Sequence, residues 1–140
     1  MSSYLADLRA KVGHDLLLLP SVSVLPVDDS GRVLLRRHWG DSWGLVGGAL
    51  DIDERPVDGA VRKAREAGVE VQITRLLDVI GGPEFRVSYD NGDETAYAGP
   101  VYEGRVIGEI GTEVSWFTLA DLPTLRLASL TAAALRQLGY

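Results

Sequence analysis

The stretch from Gly47 to Val69, GGALDIDERPVDGAVRKAREAGV, gathers glycines, carboxylates and basic residues. At Gly47 and Gly48 no Cβ stands in the way, so the backbone can come close to an anion or a metal. Glu54 follows in an acidic loop with Asp51 and Asp53, and Arg62, Lys63 and Glu66 lie on a run with helical spacing. Residues three and four apart share a helix face, which groups Glu66 with both Arg62 and Lys63. Carboxylates presented by a helix suit a hard divalent cation, which takes oxygen ligands and often shares substrate phosphates with the protein. Such an ion neutralises a pyrophosphate and activates the water that cleaves it. With this chemistry Glu66 is a candidate metal ligand, and Glu54, Arg62, Gly47, Gly48 and Lys63 are candidates for the catalytic and substrate-binding positions around it. The plainer account of the same residues is structural. Glu54 ties the loop to the helix through Arg62, and Glu66 pairs with Arg62 at i, i+4. A cation at Lys63 opposes a metal, since unit charges ~4 Å apart interact by about 4 kcal/mol at an effective dielectric of about 20. Lys63 or Arg65 would instead meet phosphate directly.

These residues need a scaffold, and the rest of the chain predicts one. Ser3 to Val12 reads as a helix with Tyr4, Leu5, Leu8 and Val12 on one face and Gly13 as its stop. Leu16 to Val27 is nearly continuous in apolar residues and reads as a central strand. Asp28 to Gly31 is a turn, after which Arg32 to His38 is expected to pair back as a hairpin. Trp43 to Val46 is a short strand leading into the glycines. Val57 to Ala67 is a helix, with Val57, Ala60, Val61, Ala64 and Ala67 facing a sheet. Val69 to Ile80 returns as a strand, and Phe85 to Tyr89 and Thr95 to Tyr102 flank the Asn91-Gly92 hairpin signal. Val114 to Thr118 is the last strand, and Ala128 to Leu138 a C-terminal helix. The order predicts a single α/β (α+β) domain over residues 1–140, a mixed sheet with helices packed against it. Arg36 and Arg37 alternate on their strand, and Arg36 is a candidate phosphate contact. Trp39 is a candidate to stack on a base or sugar, or else covers the sheet edge. Trp43 and Trp116 read as core, Tyr89 and Tyr97 as ordinary strand residues, and His14 and His38 as lone histidines without ligand spacing.

Taken residue by residue, the glycine-to-helix stretch resembles the signature of the Nudix hydrolases, GX5EX7REUXEEXGU with U apolar. Gly48 fits the first Gly, Glu54 the first Glu and Arg62 the Arg, each at the family's spacing. Lys63 stands where the next Glu is found, Ala64 at the apolar position, and Glu66 at the first member of the Glu-Glu pair. Ala67 takes the place of the second, and Gly68 arrives one residue early, so the motif carries a deletion. Aligned from Gly68 instead, Glu66 becomes the second Glu and Arg65 replaces the first. Either alignment leaves one of three helix carboxylates. Trp43 to Gly48, Val33 to Arg37, Gly82 to Glu84, Tyr89 to Glu94, Val114 to Phe117 and Asp121 to Pro123 also resemble family segments. The resemblance implies a curved mixed sheet between helices. It implies a hydrolase that cleaves the pyrophosphate of a nucleoside diphosphate linked to another moiety, with Mg²⁺ or Mn²⁺. The missing carboxylates imply an alternative, a catalytically impaired domain that binds a nucleotide or phosphorylated metabolite as a regulator or sensor. Asp51, Asp53, Glu54, Glu84, Asp93, Glu94, Glu109 or Glu113 would have to complete a metal set. Carboxylates restored at Lys63 and Ala67 are expected to raise Mg²⁺ affinity.

The 140 residues are 46% hydrophobic with a net charge of -6, which fits a folded chain and disfavours duplex nucleic acid as partner. A small nucleotide-like substrate is the expected partner, and a homodimer is among the assemblies the resemblance implies. With no cysteine, disulfides and thiolate metal sites are excluded, and a reducing, cytoplasmic setting is expected. Leu16 to Leu19 is too short an apolar run to span a bilayer.

Overall fold

A computed structural model describes residues 2–140, with the side chain of Trp39 outside the described residues. Strand β1 (Leu17–Pro26) is the spine, buried continuously from Ser21 to Pro26. Its edges are both occupied. Antiparallel β4 (Val46–Ala49) pairs from Ser21 opposite Ala49 to Val24 opposite Val46. Parallel β7 (Glu94–Ile107) pairs from Leu17 opposite Thr95 to Pro26 opposite Gly104. β7 also carries two antiparallel partners, β6 (Arg86–Ser88) and β5 (Glu70–Ile80). A second sheet has the order β3 (Trp43–Gly44), β2 (Val33–Arg37), β8 (Val114–Phe117). The result is the expected curved, mixed α/β arrangement with three helices, α1 (Ser3–Val12), α2 (Pro56–Glu66) and α3 (Ser129–Gln137). Among the described residues no helix is long and apolar enough to cross a membrane.

Alternation along β1 divides the core. Val22 and Val24 point to α2, where Ala60, Ala64 and Ala67 meet Val46, Val69 and Val71. Leu25 joins the other cluster, where Ala133, Ala134 and Leu135 of α3 pack with Leu35, Leu45 and Val101. The alanine face of α2 lets its axis lie close to the sheet, and that closeness brings Lys63 down onto the glycines of β4. Gly68, at φ 91°, ends the helix. Val69 N–H donates to Ala64 O and Gly68 N–H to Arg65 O, so the last carbonyls are satisfied by a left-handed cap.

Four expectations are corrected. β2 does not form a hairpin with β1, because β4 and β7 already take both edges of that strand. A lone bridge, Val27 to Val33, links the two, and β2 turns to the second sheet. The stretch Trp43–Val46 is not one strand. The Leu45 N–H donates to Thr131 Oγ at 3.0 Å, so the chain leaves one sheet at Gly44 and joins the other at Val46. Val57, expected on the sheet-facing side of the helix, is exposed together with Pro56 and Asp58, and burial of α2 begins at Gly59. β7 also runs beyond Tyr102 to Ile107, where β5 continues beside it.

Candidate active site

Gly47 lies hard against β1. A Cβ there would come within 2.3 Å of Val22 O and 2.5 Å of Ser23 Oγ. Since the obstacle is backbone, Gly47→Ala is expected to destabilise the fold by about 1–3 kcal/mol, the usual cost of overpacking, read as a lowered urea midpoint. Gly48 faces the helix. A Cβ on it would sit 2.8 Å from Lys63 Cε and 3.0 Å from Nζ, so the bare glycine is the floor on which the lysine chain rests.

Arg62 is the hub of the site. Its Nε and Nη2 donate to the two oxygens of Glu54 at 2.7 and 2.9 Å, a bidentate geometry that a guanidinium is shaped to make. Nη1 donates to Glu66 Oε1 at 2.8 Å and Nη2 also to Ala49 O at 3.2 Å. Asp51 Oδ2 stands 3.5 Å from Nε. Glu54 in turn accepts the Asp51 N–H at 3.1 Å. It fits beneath the helix because Gly59 has no Cβ, which would lie 2.9 Å from Glu54 Oε1. On the other side Lys63 Nζ sits 3.2 Å from Glu66 Oε2. Hydrogen bonds from Arg62 hold Glu54 below the ordinary carboxylate range. At Glu66 burial works upward, but hydrogen bonds from Lys63 and Arg62 outweigh it and leave that carboxyl low as well.

Two adjoining clefts open beside this group. The larger, about 780 Å³, is lined by Gly48, Arg62, Lys63 and Glu66 and closed by Arg9 of α1 and the Tyr89–Asp93 loop. The smaller, about 620 Å³, is lined by Arg36, His38 and Gly47, with Ser129 and Thr131 at the start of α3. Gly48, Tyr89, Asp90 and Tyr97 line both. The structure therefore brings Glu54, Arg62, Lys63, Glu66, Gly47 and Gly48 together and puts Arg36 next door. The side chain of Trp39 lies outside the described residues. Arg65 points away and pairs with Glu70. Arg37 stacks over Trp43 at 4.9 Å. His38 packs across Gly44, where burial and then the Arg36 charge hold its pKa down.

Several residues of the site were not legible as such. Arg9 donates to Asp15 O, Glu94 O and Thr95 Oγ, which ties α1 to the hairpin loop. His14 Nδ1 lies 2.7 Å from Asp93 Oδ1, and this contact is the leading reason the Asp93 carboxyl is low. The hydroxyls of Tyr89 and Tyr97 lie 2.5 Å apart between the clefts. In sequence Arg9 is one cation of an amphipathic helix, and Tyr89 and Tyr97 look like any strand tyrosines. The Asn91-Gly92 turn and the family-like segment Tyr89 to Glu94 mark a loop there, with Asp93 a candidate carboxylate, but nothing in the sequence joins it to Arg9 and His14.

The donor set does not fit a preformed divalent site. Both oxygens of Glu66 are held by Arg62 and Lys63, and both oxygens of Glu54 by Arg62. Asp93 is engaged by His14 and Arg9. Among the described residues no three carboxylates or histidines are grouped so as to hold a metal ion. Ala67, one of the two positions for an added carboxylate, is 2% exposed and belongs to the core under α2. That expectation is corrected, since a Glu there would be buried among Val22, Val69 and Val71 instead of facing the cleft.

Comparison with known proteins places the chain. The NUDIX domain model matches residues 17–138, and the chain belongs to the Nudix hydrolase family. Members of this family generally use divalent metal ions. A MutT-like protein of Streptomyces ambofaciens is 38% identical over 61 residues, a match spanning 42% of this chain and 40% of that protein. The crystal structure of a MutT NUDIX hydrolase from Burkholderia pseudomallei is 27% identical with a TM-score of 0.66, covering 86% of this chain and 98% of that one. A UDP-X diphosphatase shares the fold at 21% identity and a TM-score of 0.65, over 99% of this chain and 70% of that one. So does a bifunctional NMN adenylyltransferase/ADP ribose pyrophosphatase from Francisella tularensis, at 15% identity and 0.64, over 96% of this chain and 45% of that one.

Proposed function

We propose that the protein cleaves the pyrophosphate of a nucleoside diphosphate linked to a second moiety. The observation that carries this reading is the pair of clefts meeting at Gly48, Tyr89, Asp90 and Tyr97. A ligand with two bulky ends and a diphosphate between them matches that shape. The diphosphate would lie over Gly48 and Lys63, with one end toward Arg9 and the Tyr89–Asp93 loop and the other toward Arg36. Arg62 holds the acidic loop, β4 and α2 in one piece and so fixes where Lys63 and Glu66 stand. Mg²⁺ or Mn²⁺ is the ion this reading implies, although Glu54 and Glu66, engaged by Arg62 and Lys63, do not by themselves form its site. The names of two fold neighbours, a UDP-X diphosphatase and an ADP ribose pyrophosphatase, point to the same substrate class. We read the setting as cytoplasmic and the partner as a small nucleotide-like compound.

A second reading has its own support. With both Glu66 oxygens held by cations, the same clefts suit a domain that binds such a ligand without cleaving it. A screen of nucleoside diphosphate sugars, dinucleoside polyphosphates and nucleoside triphosphates, with each metal, separates the two. Turnover preferring the first two classes is expected, and preference for triphosphates would overturn the two-cleft assignment. For a preferred substrate, Arg36→Ala is expected to raise KM about tenfold with kcat little changed, the pattern of lost uniform binding. An unchanged KM would remove Arg36 from the substrate site.

A further inference from the structure

We propose that Lys63 supplies, as a built-in part of the fold, counter-charge to the ligand's diphosphate that would otherwise come from a bound metal, so that ligand binding needs no metal. This rests on the cleft assignment made above. The Lys63 side chain is 21% exposed, its ammonium 3.2 Å from Glu66 Oε2 and pressed onto Gly48, at the residue where the two clefts join. Its place is set by the fold before any ligand arrives, because the helix rests on the sheet through alanines and Gly48 leaves room for the lysine chain.

The hydrogen-bond inventory then separates the two neighbouring cations. Arg62 spends its guanidinium on Glu54, Glu66 and Ala49 O and cannot turn to a ligand without releasing the loop. Lys63 has Glu66 as its ion-pair partner among the described residues. An ammonium has three donors, so two remain for phosphate oxygens, and lysine binds phosphate as a point charge.

Around the hub Asp51, Glu54 and Glu66 face Arg62 and Lys63. Three negative charges against two positive ones leave little to concentrate a divalent ion in the ligand-free protein. Every Glu66 and Glu54 oxygen already accepts from a cation, and Ala67 is turned inward. The positive charge fixed beside Gly48 is therefore that of a side chain, held at no cost in recruitment.

The test is calorimetric titration of α,β-methylene-ADP, whose P–C–P bridge is not cleaved, into the protein with EDTA or with Mg²⁺. Wild type is expected to bind with Kd values within about threefold of each other in the two conditions. Lys63→Gln is expected to weaken binding in EDTA by about tenfold or more, while Lys63→Arg retains most of it. Lys63→Glu is expected to make binding depend on Mg²⁺. Thermal unfolding of each variant near the wild-type midpoint shows that the changes are local. A wild-type Kd that worsens tenfold or more in EDTA, or a Lys63→Gln protein that binds like wild type, overturns the proposal and leaves the cleft assignment standing. Binding in neither condition sinks the cleft assignment, and the proposal with it.

Discussion

Replacing Glu66 by Gln is expected to lower metal-dependent turnover about a hundredfold, some 2.7 kcal/mol of transition-state stabilisation, with the unfolding midpoint nearly unchanged. The two halves of that result come from different parts of the structure. Glu66 is 46% exposed on the cleft face of α2 and contributes nothing to the alanine face beneath, so its amide should leave the packing intact. Its charge, however, sits between Arg62 and Lys63. Without it, two cations face the phosphates and oppose an incoming divalent ion, an effect worth up to about 4 kcal/mol per charge at ~4 Å. The substitution also frees Lys63, so binding of the uncleaved diphosphate in EDTA should hold or tighten. Turnover and binding thus move in opposite directions. Steady-state kinetics paired with calorimetry reads both, and equal losses in the two would mean that Glu66 acts through the fold.

A large stability effect is also expected from Glu54→Ala, about 1–3 kcal/mol by urea denaturation at neutral pH. Glu54 and Arg62 are 14% and 28% exposed, so removing the carboxylate strands a partly buried guanidinium, which is where breaking a pair is costly. Arg62→Ala should lose a similar amount, and the double variant should lose less than the sum, because the two losses share one interaction. The same pair predicts an acid dependence. The folded-state pKa of Glu54 lies below its ordinary value of 4.5. Its contribution is therefore complete above that value and fades as pH falls through the folded pKa. Wild type and Glu54→Ala should converge in stability once pH falls below the folded-state pKa of Glu54. A gap that stays constant with pH would assign the stabilisation to packing instead of charge.

Much of this site could be read from spacing. The interval from Gly48 to Glu54 to Arg62 and the i, i+4 step to Glu66 are local features, and local geometry carries them into the fold. The structural account of Glu54 as the tie between loop and helix is how that residue is built into the site, and the catalytic roles remain proposals to be tested. What spacing could not convey is depth. Ala67 is turned into the core, a fact set by the helix cap and by the cluster it shares with Val22 and Val71, not by residue type. Nor could it show that β1 has both edges filled, since one partner, β7, lies nearly eighty positions further on, with Leu17 paired to Thr95. Arg9, His14 and Asp93 meet through that same long-range pairing. Their chemistry is visible in the sequence, but their neighbourhood is not.

The measurement that bears most directly on the account is hydrolysis of a nucleoside diphosphate sugar by wild type and Glu66→Gln, with Mg²⁺, Mn²⁺ or EDTA, the products resolved by phosphorus NMR. Two monophosphate products, formed with metal, absent in EDTA and nearly absent from the variant, are predicted. Binding without turnover under every metal condition would contradict the hydrolase assignment and make the protein a receptor for the ligand its clefts accept.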